Sequence, residues 1–363
     1  MHTHIVTGPS GSGSTTIARG LAARLADGDR RILLLTGAAA DAAAVQTSGG
    51  AAVEVRRVDP LRWGQQSWES LTAMRRLIGP PWSKMSGEGL LVLPGLTEFA
   101  WAAALREAWR GSWDAVVVDA GELDSALRWL TMADSTVGAL RQVWPLRERT
   151  GAAAGELEAG SWHLRVMARL DSEAADFADR VRSNATSVHL VSEPQAHRVG
   201  RVLHALTPLA LFEITVADVV LNRLSGRRRY DRALAERLPA RLDGLGIEVR
   251  TAADHRRAPD PAAVAQEVFP EVPGVRRRTG PRLGRNGEMF RWQWQLPFSE
   301  AASTSAAVSG EMLMLTAGSL RRAVPLPSVL RRCTLEHAAL QDWTLRLSFA
   351  PNPAVWPESM EMS

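Results

Sequence analysis

The chain has 363 residues, 45% of them hydrophobic, with 43 basic against 39 acidic residues for a net charge of +4 and one cysteine, Cys333. That length and apolar content suit one large domain, or a large one with a small companion. The charge balance is too mild to point to nucleic acid, one cysteine excludes a disulfide framework or a CxxC zinc site within the chain, and the absence of any run of about eighteen apolar residues argues against a membrane span.

The chain opens on "HIVT" (4–7) with no charged and apolar leader, so no signal peptide is expected and a cytoplasmic location is the default. A second apolar run, "RILLLT" (31–36), follows a helical stretch in which Ile17, Leu21 and Leu25 repeat every four residues. "GLLVLPGL" (89–96), "WDAVVVDAG" (113–121), "ATSVHLVSEP" (185–194) and "VADVVLNRL" (216–224) are further apolar runs of the length expected for strands buried on both faces. Helical patterns alternate with them, notably at 97–110 and 195–209. Strand and helix in alternation predict a doubly wound parallel α/β sheet.

Two regions break the alternation. Residues 125–184 read as largely helical, either a helical pair packed on the sheet or an insertion presenting an apolar groove. Near residue 275 the arginines 276–278, 282, 285 and 291 stand among glycine and proline, which reads as a solvated connector. After it, "FRWQWQL" alternates Phe290, Trp292, Trp294 and Leu296 with polar residues, as a half-buried antiparallel strand does. The expected organisation is an α/β unit over 1–275 with a helical insertion at about 125–184, a linker at 276–289, a small all-β module at 290–350 and a tail at 351–363.

Between the first strand and the first helix lies "GPSGSGSTT" (8–16). Gly8, Gly13 and Thr15 keep the G-x-x-x-x-G-x-[ST] frame of a phosphate loop, and Gly11 adds freedom inside it. Such a loop points backbone N–H groups at phosphate oxygens from a helix N-terminus; its lysine spans to the β- and γ-phosphates and its Ser/Thr hydroxyl holds Mg²⁺. Here Ser14 stands in the lysine position, and the chain's only lysine is Lys84. A serine brings no positive charge to the γ-phosphate, so the chemical step should suffer more than binding. Asp119, at the end of "AVVVD", reads either as a carboxylate holding Mg²⁺ through water or as a helix cap or loop anchor. The eight histidines show no HExxH spacing, and Ser10, Ser12 and Ser14 form no GxSxG elbow.

From 4 to 350 the chain resembles the P-loop ATPases of the arsenite-pump and tail-anchored-protein-targeting (ArsA/GET) type. "LPGLTEF" (93–99) is similar to that family's P-G-x-x-E segment. "WDAVVVDAGELDSALRWL" (113–130) is similar to its second switch, with Asp114, Asp119, Leu127, Arg128 and Leu130 preserved, and the later segments follow in the family's order. The resemblance implies that Gly8, Gly11, Gly13, Ser14, Thr15 and Thr16 cradle the phosphates of ATP or ADP and that Thr15 and Asp119 serve Mg²⁺. It also implies that Asn222 meets adenine and that Pro270, in "FPEVPGV", closes over the base. It further implies a dimer, with itself or with a paralogue, a hydrophobic polypeptide client at helices around 127–184, and a C-terminal module like that of small heat-shock proteins.

The departures are specific. Pro9 replaces the family's signature lysine, Ser14 the central lysine, and Gly37 the aspartate that positions the attacking water; Glu122 and Asp124 add negative charge to the second switch. The expectation is a degenerate member without efficient hydrolysis, acting as a dimeric scaffold, a regulatory subunit or a binder of apolar segments. A weak ATPase borrowing an arginine, and an assembly protein that binds no nucleotide, are the alternatives.

Overall fold

Strands buried on both faces need hydrogen-bonded neighbours on both edges and helices above and below. The computed structural model, which describes residues 1–28, 30–37, 53–70, 95–143, 162–224, 229–254, 260–271, 273 and 280–354, meets that need with a seven-stranded sheet. Its strands are β1 (His2–Gly8), β2 (Ile32–Thr36), β3 (Val53–Arg57), β4 (Ala115–Glu122), β5 (Thr186–Ser192), β6 (Val216–Leu224) and β7 (Glu248–Ala253), in the order β3-β2-β4-β1-β5-β6-β7. Every pairing is parallel. The chain runs to one side of β1 for β2 and β3 and to the other for β5, β6 and β7. The carboxyl end of β1 therefore lies at a topological switch point, where open α/β sheets place their ligands.

The doubly wound fold expected from the sequence is present. The edge strands β3 and β7 escaped the apolar-run reading because an edge strand needs no apolar run: most of their residues are exposed or half-buried. The predicted strand 89–96 lies outside the described residues up to 94, and Leu96 begins a helix.

Alternate residues of the sheet face two cores. Val6, Leu34, Val117 and Val220 pack with α1 (Ser14–Leu25) and with Val264, Ala265 and Val268 of a short helix, Pro261–Val268. Ile5, Leu35, Val118 and Leu190 face the other core. It is covered by the helices α3 (Leu96–Arg110), α4 (Leu123–Val143), α5 (Trp162–Arg182) and α6 (Ala196–Leu211), while α2 (Pro60–Ser70) packs on α3. Helices α4 and α5 pack on each other. Among the described residues no helix is long and apolar enough to cross a membrane.

The C-terminal strands form two antiparallel sheets. The strand 282–286 (β8) pairs with β9 (Met289–Gln295), and the sheet orders are β13-β14-β9-β8, with β13 Cys333–Gln341 and β14 Thr344–Pro351, and β10-β11-β12, at Thr304–Ser309, Met312–Ala317 and Leu320–Pro325. Residues 282–286, read as part of a linker, are a strand whose every residue is exposed, which leaves no apolar alternation to detect. Trp292, Trp294, Leu313 and Leu315 join the core beneath α4 and α6. Thr207 Oγ1 donates to the Pro297 carbonyl at 2.6 Å, and Trp294 Nε1 to the Ala210 carbonyl at 3.3 Å.

Candidate functional site

The turn after β1 is built by close approaches that only glycine permits. A Cβ on Gly8 would stand 2.1 Å from the Val191 carbonyl oxygen, and one on Gly13 would stand 2.1 Å from Asn222 Nδ2. Gly13 also holds φ of +84°, the left-handed region, at the N-cap of α1. No side chain caps that helix and its first turn holds no acidic residue. The first-turn N–H groups of Ser14, Thr15 and Thr16 are thus left for an acceptor from outside the helix.

Asp119 ends up beside this loop because β4 pairs with β1 and β2 in register, placing Asp119 opposite Val6 on one side and Thr36 on the other. Thr36 Oγ1 donates to Asp119 Oδ2 at 3.0 Å. Burial pushes the Asp119 carboxyl above its ordinary value, while the hydroxyls of Thr15 and Thr36, the Gly121 amide and the charge of Arg19 oppose the shift. Oδ1 of Asp119 and Oγ of Ser12 are buried without a hydrogen bond of normal geometry. Two orphaned oxygens at the mouth of a phosphate-type turn fit a metal–nucleotide site: a buried polar atom without a partner is destabilising unless a ligand or water supplies one.

Asn222 braces the loop, its Nδ2 donating to the Ser12 carbonyl at 2.7 Å and its Oδ1 accepting from the Arg223 amide at 2.9 Å. Pro270 is not brought to the loop. Its carbonyl accepts from Arg24 Nη2 at 2.8 Å, and Arg24 lies nine residues along α1 from Thr15, about 13 Å at the helical rise.

At Gly37 the structure adds a neighbour that the sequence did not reveal. A Cβ there would stand 3.1 Å from Cζ2 of Trp101 in α3, and the Trp101 ring stacks on Trp129 of α4 at 5.9 Å between centroids. An indole thus lies against the position of the expected water-positioning carboxylate. Glu122 and Asp124 are not free charges either. Glu122 Oε2 accepts from the Asp124 and Ser125 amides at the start of α4, and Arg201 Nη2 reaches Glu122 Oε1 at 2.9 Å and Asp124 Oδ2 at 2.7 Å.

On the opposite side of the loop, Arg198 Nη1 donates to the Ser10 carbonyl at 2.7 Å. Arg198 and Arg223 both approach Glu193. None of these residues carries a local sequence signal: Thr36, Glu193 and Arg223 lie in segments that read as strands, Trp101 and Arg198 in segments that read as helices, and all become site residues only through long-range register and packing.

Taken together, sheet, switch-point turn and buried strand-end carboxylate define a P-loop nucleotide-type α/β protein. The anion-transporting ATPase family matches residues 1–239, and the HSP20-like domain found in ArsA matches residues 287–349. The chain belongs to the ArsA-type ATPase family, with that family's HSP20-like module at its C-terminal end. It is 30% identical to an uncharacterized protein of Streptomyces coelicolor, covering 98% of this chain and 99% of that one. It is 27% identical to a Mycobacterium tuberculosis protein over 85% of this chain and 81% of the relative. A Chlorobaculum tepidum protein named as an arsenical pump-driving ATPase is 22% identical, with 94% of each chain covered.

Proposed function

We propose that this chain is a nucleotide-binding ArsA-type protein that hydrolyses ATP poorly on its own and works as a dimeric scaffold or regulatory subunit, with itself or with a competent paralogue. The observation that carries the reading is the contact between Trp101 and Gly37: the position of the water-positioning carboxylate has no side chain, and an indole edge packs where its Cβ would stand, a group that cannot accept a proton from water. Ser14 in the lysine position acts in the same direction, because transition-state charge on the γ-phosphate loses its cation. Binding is supported by what is retained. The N–H groups around Gly11, Gly13, Ser14, Thr15 and Thr16 would cradle phosphates, and Thr15 with the open Oδ1 of Asp119 would hold Mg²⁺, which would supply positive charge beside them.

The scaffold reading stands ahead of an apolar-segment binder because α4, expected to wall a client groove, is in part already covered in cis: a Cβ on its Gly138 would stand 3.1 Å from Ala323 of β12. Calorimetric titration of the full chain with ADP and ATP, with and without Mg²⁺, paired with phosphate release, tests the proposal. Saturable binding is expected, with turnover about a thousandfold or more below the usual enzymatic range of about 1–10³ s⁻¹. Ordinary turnover that is abolished by Asp119→Ala would overturn it, as would failure to bind either nucleotide.

A further inference from the structure

We infer that Arg198 and Arg223 supply the loop's positive charge in place of the missing lysines, and that the site consequently prefers a nucleoside diphosphate to a triphosphate. The inference rests on the nucleotide-binding reading above and sharpens it to a ligand class.

Arg198 reaches the loop from the β5–β6 side, and Arg223 is tied to it through Glu193. Arg198, in the first turn of α6, donates from Nη1 to the Ser10 carbonyl at 2.7 Å, and a Cβ on Gly11 would lie 3.8 Å from the same nitrogen. Its Nε is buried without a hydrogen bond, 3.3 Å from Glu193 Oε2. Arg223 follows Asn222, the residue that braces Ser12, and places Nη1 2.6 Å from Glu193 Oε1. Two guanidinium groups on one carboxylate leave an excess of one positive charge on this flank. Guanidinium groups suit phosphate, which they can grip through two parallel hydrogen bonds.

The β4–β2 side carries the opposite balance. Glu122 and Asp124 share Arg201, and the Asp119 carboxylate at the end of β4 feels the charge of Arg19, so three carboxylates meet two guanidinium groups. That is the side on which Asp119 would hold Mg²⁺, beside the terminal phosphate of a bound triphosphate. A third phosphate would add charge where carboxylates are in excess and no lysine answers it. The first two phosphates would lie closer to the arginines. The asymmetry follows from the sheet order, which puts β4 and β2 on one flank of the loop and β5 and β6 on the other.

The test is calorimetric titration of the full chain with ADP and with Mg-ATP at two salt concentrations, with the unfolding midpoint of every variant recorded without ligand. ADP is expected to bind at least as tightly as Mg-ATP. Arg198→Ala and Arg223→Ala should each weaken ADP about tenfold, the loss of one charge-assisted contact, and flatten the salt dependence. Arg198→Lys should keep most of the affinity, and Glu193→Gln, which removes the competing carboxylate, should not weaken it. Mg-ATP binding more than tenfold tighter than ADP would overturn the preference. Unchanged ADP affinity and salt slope in both alanine variants would overturn the assignment of the arginines. If wild-type protein binds no nucleotide, the parent reading itself fails.

Discussion

Arg322 of the β module donates from Nε to Asp134 of α4 at 2.9 Å, in a place where the arginine is only 4% exposed. The same guanidinium donates from Nη1 to the Leu211 carbonyl and to Glu213 Oε1, and it lies over the rings of Phe212 and Trp294. Asp134 is also paired with Arg182 of α5. One buried side chain therefore joins the module to the helices that follow the second switch. Arg322→Ala should destabilise the protein by about 3 kcal/mol, because Glu213 loses its cation and Asp134 one of two; removing one partner of a buried pair costs about 3–5 kcal/mol. Denaturant unfolding checks this, and a change near zero would show that the two units are held by apolar packing alone.

Asp119 is a stability cost carried by the site. Its folded carboxyl has a raised pKa, so the folded state binds the proton more readily than the unfolded chain. Stability from this group is thus lost as pH rises from the ordinary carboxylate value through the folded one. Asp119→Asn should unfold at a higher temperature than wild type at neutral pH without nucleotide, and the gap should close as pH falls below about 4. The same variant should lose the Mg²⁺ dependence of nucleotide binding. A lower unfolding temperature at neutral pH would contradict the assignment of burial as the dominant cause.

Restoring the water-positioning carboxylate alone should not restore catalysis. Gly37→Asp brings a side chain to within 3.1 Å of the Trp101 indole, and such overpacking typically costs about 1–3 kcal/mol. We expect a lower unfolding midpoint and no gain in phosphate release. Ser14→Lys, which returns the charge, should raise ATP affinity about tenfold or more, about 1.4 kcal/mol. A large gain in turnover from Gly37→Asp by itself would mean that the indole yields easily.

Beneath the loop, the imidazoles of His2 and His4 make the sheet sensitive to acid. The His2 and His4 ring centroids are 4.5 Å apart, His4 Nδ1 lies 3.0 Å from His189 Nε2, and His189 Nδ1 lies 2.9 Å from Asp218 Oδ1. Burial, and then the proximity of His189, lowers His2 to about 4 and His4 well below the ordinary histidine value. The unfolded chain takes up these protons near pH 6.5 while the folded chain resists, so stability should fall as pH drops from about 6.5 towards 4. Melting temperatures across that range should show the decline, and His2→Gln should flatten part of it. An unchanged profile in His2→Gln would place the acid sensitivity elsewhere.

What the sequence determined alone is what local chemistry decides. Apolar runs long enough for doubly buried strands, a glycine frame between strand and helix, and the absence of every lysine but Lys84 are properties of neighbouring residues, and the fold class and the loop's missing lysine were legible from them. The edge strands β3 and β7 were not, because solvent on one side removes the apolar pattern. Tertiary structure decided the rest, since it turns on contacts between residues far apart in the chain. It placed Trp101 on Gly37, Arg201 between Glu122 and Asp124, Arg198 against Ser10, and Pro270 at the far end of α1. Side-chain charge is written in the sequence, but the flank of the loop on which that charge falls is set by strand order, which no local spacing encodes.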